Sequence, residues 1–389
     1  MRNVFSLIVI IVAIGVTAST SVRTQNGNPL NNGSANPMAL AAFGDWPYSQ
    51  NLKDSAALLI DSVNGDPKIS LVMHVGDIHS GSMPCTGADL SPTPATSVPS
   101  YDADIYNLFQ QFKDPLVYTP GDNEWTDCHK TKEFTSGAPL NELRAVRNLF
   151  FASPGYTLGG RKKQVISQRD AFDRRFGADA QFVENVMWEE SQVLFVTLNV
   201  PGSNDDHLPW SGGTSAIPGA PYPAKAFLNE PARLQEVAER DAANLRWLTS
   251  AFQTAEATDA KAVLIGLQAD MWDPAAVVAG GDGLDGYDTF VQRLAALAAH
   301  FGRPVLLING DSHLYEADHP LSTAFYTQPG GVGDLHHVGY PVPNLTRITV
   351  QGSTNLPHEW LRVTIDPRTP WVFGWEHVVY CAADPCSGF

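Results

Sequence analysis

The stretch ISLVMHVGD, Ile69 to Asp77, is a mostly apolar run rich in β-branched residues that stops on Gly-Asp. A continuous run of this length, bounded by turn residues, predicts a strand buried on both faces, as in a parallel sheet. Upstream, Met38 to Phe43 is a second apolar run, and it ends in Gly44-Asp45. Between the two, Ser49 to Val63 spaces Leu52, Ala56, Leu59, Ile60 and Val63 as one face of a helix. Downstream, Tyr101 to Phe112 repeats the helical spacing through Ile105, Leu108, Phe109 and Phe112. Leu116 to Tyr118 is a short strand that ends in Thr119-Pro120-Gly121-Asp122. Strand, helix, strand, helix, strand predicts paired βαβ units on a largely parallel sheet, hence an α/β fold.

The remaining chain continues the theme less regularly. Gln192 to Asn199, Ala262 to Leu267 and Val305 to Ile308 read as strands, and Arg233 to Phe252 and Tyr287 to Phe301 as helices. Leu345 to Ile365 holds two strand-like stretches around Gly352. Two loops stand out: Ser80 to Ser100, and the Pro/Gly-rich Pro201 to Pro231 with Asp205, Asp206, His207, Trp210 and Tyr222. Loops of this length inside a compact domain are usually functional or disordered. With no internal repeat and no second boundary, residues 38–389 read as one domain.

Val4 to Val16 is an apolar stretch behind Arg2 and ahead of Thr17, Ala18 and Ser19. It is short for a membrane span and matches a secretory signal, so residues 1–18 are expected to be removed, the alternative being retention as an N-terminal anchor, and residues 19–37 to form a flexible leader. Export to the periplasm or the medium makes Cys85, Cys128, Cys381 and Cys386 disulfide candidates, with Cys85–Cys128 and Cys381–Cys386 the favoured pairing of three. No CxxC argues for a zinc knuckle. The net charge of −16, without a Lys/Arg cluster, argues against binding to nucleic acid or an anionic membrane.

The dipeptide Gly-Asp occurs seven times, and four copies close apolar strand-like runs: LAAFGD, LVMHVGD, LVYTPGD and LLINGD. In open α/β sheets ligands bind beyond the carboxyl ends of the strands. If these strands are neighbours, Asp45, Asp77, Asp122 and Asp311 meet on one patch. Four carboxylates stay together only if cations hold them. His313 adds a nitrogen ligand two residues after Asp311. The expectation is a site for two divalent metal ions. The alternative for any single Asp is turn or helix capping.

The order GD…GD…GDNE…GDSH resembles the calcineurin-like metallophosphoesterases, including the purple acid phosphatases, over about residues 38–365. The resemblance implies a four-layer α/β/β/α sandwich with two metals at the strand ends. It implies Asp45 as the first ligand, Asp77 as the bridging carboxylate and His313 as the last histidine of the family's GH-x-H. Asp122 stands where the family has Asn, and Asn123 where it has the His that aids the transition state. Gln268, with Asp270 as the lesser candidate, stands where a lone His follows a strand, and Asp311 where the first His of GH-x-H belongs. The His of the family's D-x-H is replaced by Pro47, and Tyr48 or His79 is the residue placed to compensate.

The activity implied is hydrolysis of a phosphate ester by a metal-activated hydroxide, with Asn123 donating to the phosphoryl oxygens and His79 contacting metal or phosphate. An oxygen-rich ligand set favours manganese, magnesium or calcium over zinc or iron. The rivals are an extracellular binding module on the same fold, since Asn cannot act as a general acid, and a structural calcium-binding protein. Trp46 and Trp125 read as packing residues, His336-His337 as surface, and His358 as a lesser candidate for the site. Asn32 and Asn344 are sequons.

Overall fold

The computed structural model describes residues 29–30, 34–85, 100–130, 133, 138–210, 230–322 and 333–383. Twelve strands form two mixed sheets: β1 (Met38–Phe43), β2 (Ile69–His74), β3 (Leu116–Tyr118), β4 (Ile166–Ser167), β5 (Val186–Glu190), β6 (Val193–Thr197), β7 (Ala262–Gly266), β8 (Val305–Asn309), β9 (Glu316–Asp318), β10 (Leu345–Thr349), β11 (His358–Ile365) and β12 (Phe373–Cys381). The first sheet runs β12-β11-β1-β2-β3 and the second β4-β5-β6-β7-β8-β10-β9. β1, β2 and β3 are parallel, as are β6, β7, β8 and β10. The expected parallel core is therefore present, but each sheet carries antiparallel strands at its margins.

The strand runs are apolar throughout because both faces are covered. Leu40, Ala42, Leu71 and Met73 of the first sheet meet Phe195, Leu264, Leu306 and Ile308 of the second in one buried cluster. The alternate residues Ala41, Phe43 and Val72 pack with Leu59, Ile60, Ile105 and Phe109 of the helices Ala56–Gly65 and Ser100–Phe109. On the far side, Val263, Ile265 and Leu307 pack with Trp247, Phe252, Leu294 and Ala298 of the helices Glu230–Ala257 and Asp288–Phe301. Period-two alternation sends each strand's side chains into two different cores, giving an α/β sandwich.

Cys85 and Cys128 form a disulfide across 43 residues of chain. The other expected pair involves Cys386, outside the described residues. The apolar stretch at 4–16 also lies outside them, and among the described residues no helix is long and apolar enough to cross a membrane. Part of the expected leader is docked: the Pro29 carbonyl accepts from the Glu189 N–H at 2.8 Å, and Leu30 packs on the core of the second sheet. His336 is a correction, since it is buried and its ring bonds Asp288 at 2.9 Å and the Met271 carbonyl at 2.6 Å.

Candidate metal centre

Asp45, Asp77, Asp122, Gln268 and Asp311 each lie two to four residues past the carboxyl ends of β1, β2, β3, β7 and β8, where the parallel strands of both sheets finish side by side. The exits are tight. Asp45, Asp77, Asp311 and His313 all have left-handed φ, at 49°, 59°, 76° and 65°. Backbone strain in non-glycine residues collects at functional sites, and here four instances share one patch. Gly121 has to be glycine, because a Cβ would overlap Asp77 Oδ1. The loops also lock one another: Asp45 N–H donates to the Gly76 carbonyl at 2.9 Å, and Asp311 N–H to Asp45 Oδ1 at 3.1 Å.

Ligand atoms of Asp45, Asp77 and His313 lie within 4.8 Å of one another. Tyr48 closes the group. Its hydroxyl is 2.7 Å from Asp77 Oδ2, 3.2 Å from Asp45 Oδ1 and 3.2 Å from His313 Nε2. His313 Nε2 is 3.4 Å from Asp45 Oδ1. Atoms sharing a small divalent cation stand about 2.9–3.4 Å apart, so Asp45, Asp77 and His313 are close enough to converge on one cation, with the Tyr48 hydroxyl within hydrogen-bond reach of all three. Thr354 Oγ1 holds the other ring nitrogen of His313 at 3.1 Å, which fixes the ring.

The second set is arranged differently. Gln268 Nε2 reaches Asp122 Oδ1 at 3.4 Å, its Oε1 accepts from Gly202 N–H, and Ser203 Oγ lies 2.6 Å from Asp122 Oδ2. A Cβ built on Gly202 would stand 2.7 Å from Asp311 Oδ1 and 2.9 Å from Asp122 Oδ2, so position 202 admits no side chain and its backbone lies against both carboxylates. In this arrangement Gln268 Oε1 is taken by the Gly202 N–H and Asp122 Oδ2 by the Ser203 hydroxyl. Ser203 and Gly202 were not singled out in the sequence; the run Gly202-Ser203-Asn204-Asp205-Asp206, following β6, is the signal that marked a turn there.

Asn123 Nδ2 donates to Asp77 Oδ2 at 2.9 Å and lies 3.0 Å from Tyr48 Oη and 3.1 Å from the His79 carbonyl. It braces the carboxylate. His79 is buried, its Nδ1 is 3.2 Å from the Ser80 carbonyl, and burial lowers it to about 4. Asp270, the lesser candidate beside Gln268, donates its N–H to Asp311 Oδ2 at 3.0 Å and accepts from Ser312 Oγ at 2.7 Å. Arg347, buried on β10, pairs with Asp270 and with Asp318 and Glu316, and so anchors that wall. His358 lies apart, buried against Tyr380 at the start of β11. Trp46 and Trp125 are buried packing residues.

Electrostatics oppose the cluster as it stands. Burial pushes the Asp45 carboxyl up to about 7. Burial first, and then the charge of Asp122, hold Asp77 and Asp311 well above the usual carboxylate range. Buried like charges of this kind mark sites that recruit a cation or hold protons. A cleft of about 290 Å³ opens beside Asp122 and Asp311, with Lys130, Ser203, Asp270 and Tyr287 on its walls.

No family model matches the chain, and no curated protein matches it. Among solved structures, one that is similar is described as GAP50, the anchor in the inner membrane complex of Plasmodium; it is 9% identical, with a TM-score of 0.40, over 88% of this chain and 89% of that one.

Proposed function

We propose that this chain is an exported, metal-dependent hydrolase of phosphate esters, built on a four-layer α/β/β/α metallophosphoesterase architecture. The observation that carries the reading is the four-atom group of Asp45, Asp77, His313 and Tyr48 at the carboxyl ends of parallel strands. A divalent cation held there would polarise a phosphoryl oxygen and lower the pKa of water. Asp45 and Asp77 supply the compensating charge, and the N–H of Asp311 and the amide of Asn123 fix their orientation. The Tyr48 phenol is raised well above its ordinary range by burial and by the charge of Asp77, so it keeps its proton and donates to the carboxylates until a cation takes that role. Asn123 has no proton to release, and buried His79 stays neutral at pH 7, so neither is a general acid. The apolar stretch at 4–16 and the Cys85–Cys128 disulfide support export.

A second reading is favoured by Asn123: its amide is spent on Asp77, Tyr48 and the His79 carbonyl, which suits a cation-stabilised binding module without turnover. One experiment separates the two. The purified protein is stripped with chelator, reloaded with manganese, magnesium, calcium or zinc, and assayed on aryl phosphate mono- and diesters from pH 5 to 9. Hydrolysis with manganese or magnesium, rising toward alkaline pH and absent in Asp77→Asn, supports the hydrolase. Bound cation with no turnover on either ester supports the module. Absence of any bound divalent ion refutes both.

A further inference from the structure

The turn after β6 is built in an unusual way. Ser203, Asn204, Asp205 and Asp206 all have left-handed φ, between 54° and 58°. Each such residue costs about 1–2 kcal/mol, so the turn persists only because its surroundings impose it. Arg240, fully buried, pairs with the Asp205 carboxylate and donates to the Asp205 carbonyl at 2.8 Å. Arg233 donates to the Asp206 carbonyl at 2.6 Å, and Asn204 Nδ2 to Asp285 at 2.9 Å. These clamps press Gly202 between Asp122 and Asp311 and bring the Ser203 hydroxyl onto Asp122. Behind the hydroxyl stands an ammonium: Lys130 Nζ is 2.7 Å from Ser203 Oγ, 2.8 Å from Asp127 Oδ1 and 3.4 Å from Asp282 Oδ2.

We infer that the site takes one divalent cation rather than two: the Gly202 N–H and the Ser203 hydroxyl occupy the oxygens of Gln268 and Asp122 that a second ion would need, and the Lys130 ammonium supplies one of the two positive charges that ion would bring. The inference rests on the reading of the first position given above. An ammonium bonded to a hydroxyl that itself bonds Asp122 compensates the carboxylates in the way a cation does, at fixed geometry and without exchange. A lysine also cannot offer an open coordination position, so polarisation of substrate falls to the Asp45–Asp77–His313–Tyr48 group alone. Lys130 is here a positioning and charge-balancing residue.

The test is metal stoichiometry, read independently of turnover. Chelator-stripped full chain is titrated with manganese by calorimetry, with bound metal counted by elemental analysis. The wild type is expected to bind one ion per chain. Lys130→Met leaves Asp127 and Asp282, and through Ser203 also Asp122, without the neighbouring ammonium and is expected to take up a second, weaker ion, while affinity for the first changes by less than about ten-fold. Lys130→Arg keeps the charge and should stay at one. Lys130→Gln, which keeps a donor to Ser203, replaces Met if that variant does not fold, and should likewise gain an ion. Two ions bound by the wild type with affinities within about ten-fold would overturn the inference. A count that stays at one in the folded Lys130 variants would overturn the role of the lysine. A wild type that binds no ion would instead refute the reading of the first position.

Discussion

Asp45→Asn removes one buried charge and keeps the shape, and its effect can be worked out with its sign. Burial raises the Asp45 carboxyl from the ordinary 3.8 to about 7 in the folded chain. The folded state therefore holds this proton more tightly than the unfolded state does. The contribution is present in full below about pH 4 and is lost as pH rises through 7. At about 1.36 kcal/mol per pH unit, ionising Asp45 in the cation-free fold costs roughly 4 kcal/mol, of which roughly 2–3 kcal/mol falls between pH 5 and pH 8. His74 and His79, lowered by burial to about 3 and about 4, act in the opposite sense over the same range. The difference between variant and wild type isolates Asp45. Urea unfolding after exhaustive chelation should show Asp45→Asn gaining on the wild type by about 2–3 kcal/mol from pH 5 to pH 8. Saturating manganese should reverse the order, because the cation then stabilises only the chain that can bind it; at 100 times its Kd it adds about 2.7 kcal/mol. If the difference between the two chains is the same at pH 5 and pH 8, Asp45 is not the strained carboxylate described above.

Other perturbations have equally definite outcomes. Replacing both Cys85 and Cys128 by Ala opens a loop of 43 residues and should cost about 4 kcal/mol, with manganese affinity falling as well, since the bridge ties the loops that carry Asp77 and Asp122; calorimetric melting with and without manganese measures both. Arg347→Met strands Asp270 in a buried site and should cost about 3–5 kcal/mol in urea unfolding. His313→Ala removes the one nitrogen ligand of the group and should weaken manganese binding at least about ten-fold by calorimetry, with the melting temperature of the cation-free chain nearly unchanged.

Much of this arrangement is legible in the sequence for a simple reason. β1, β2, β3 and β8 are buried on both faces, so they read as largely apolar runs, and their exits into Gly-Asp name the residues that line the patch. What escaped notice lacks that signature. β12, FGWEHVVYC, is an edge strand half open to solvent and shows no clear alternation, and β5 ends in two glutamates. His336 reads as surface because its Gly-rich surroundings conceal that Asp288 and a main-chain carbonyl receive its ring. The local run at 202–206 marks a turn, but its four left-handed residues in succession are held by Arg233 and Arg240, some thirty residues on, which the local pattern does not show. The contact between Gly202 and two aspartates from other loops is likewise a property of the assembled fold.

The order of strands in the first sheet bears on how the chain matures. β1 is made near the beginning of the chain, yet it lies inside its sheet, flanked by β2 and by β11, with Met38 opposite Ile365 and Ala42 opposite Leu361. Until residues 358–365 have been synthesised, one side of β1 carries unpaired main-chain donors and acceptors beside fully apolar side chains, the kind of edge that recruits other chains. Asp45 leaves directly from that strand, and its carbonyl accepts from Ser353 N–H at 3.0 Å and from the Ser353 hydroxyl at 2.5 Å. The patch is therefore among the last features to assemble, and a chain cut short before Ser353 would present an aggregation-prone seam where the finished protein places its acidic centre.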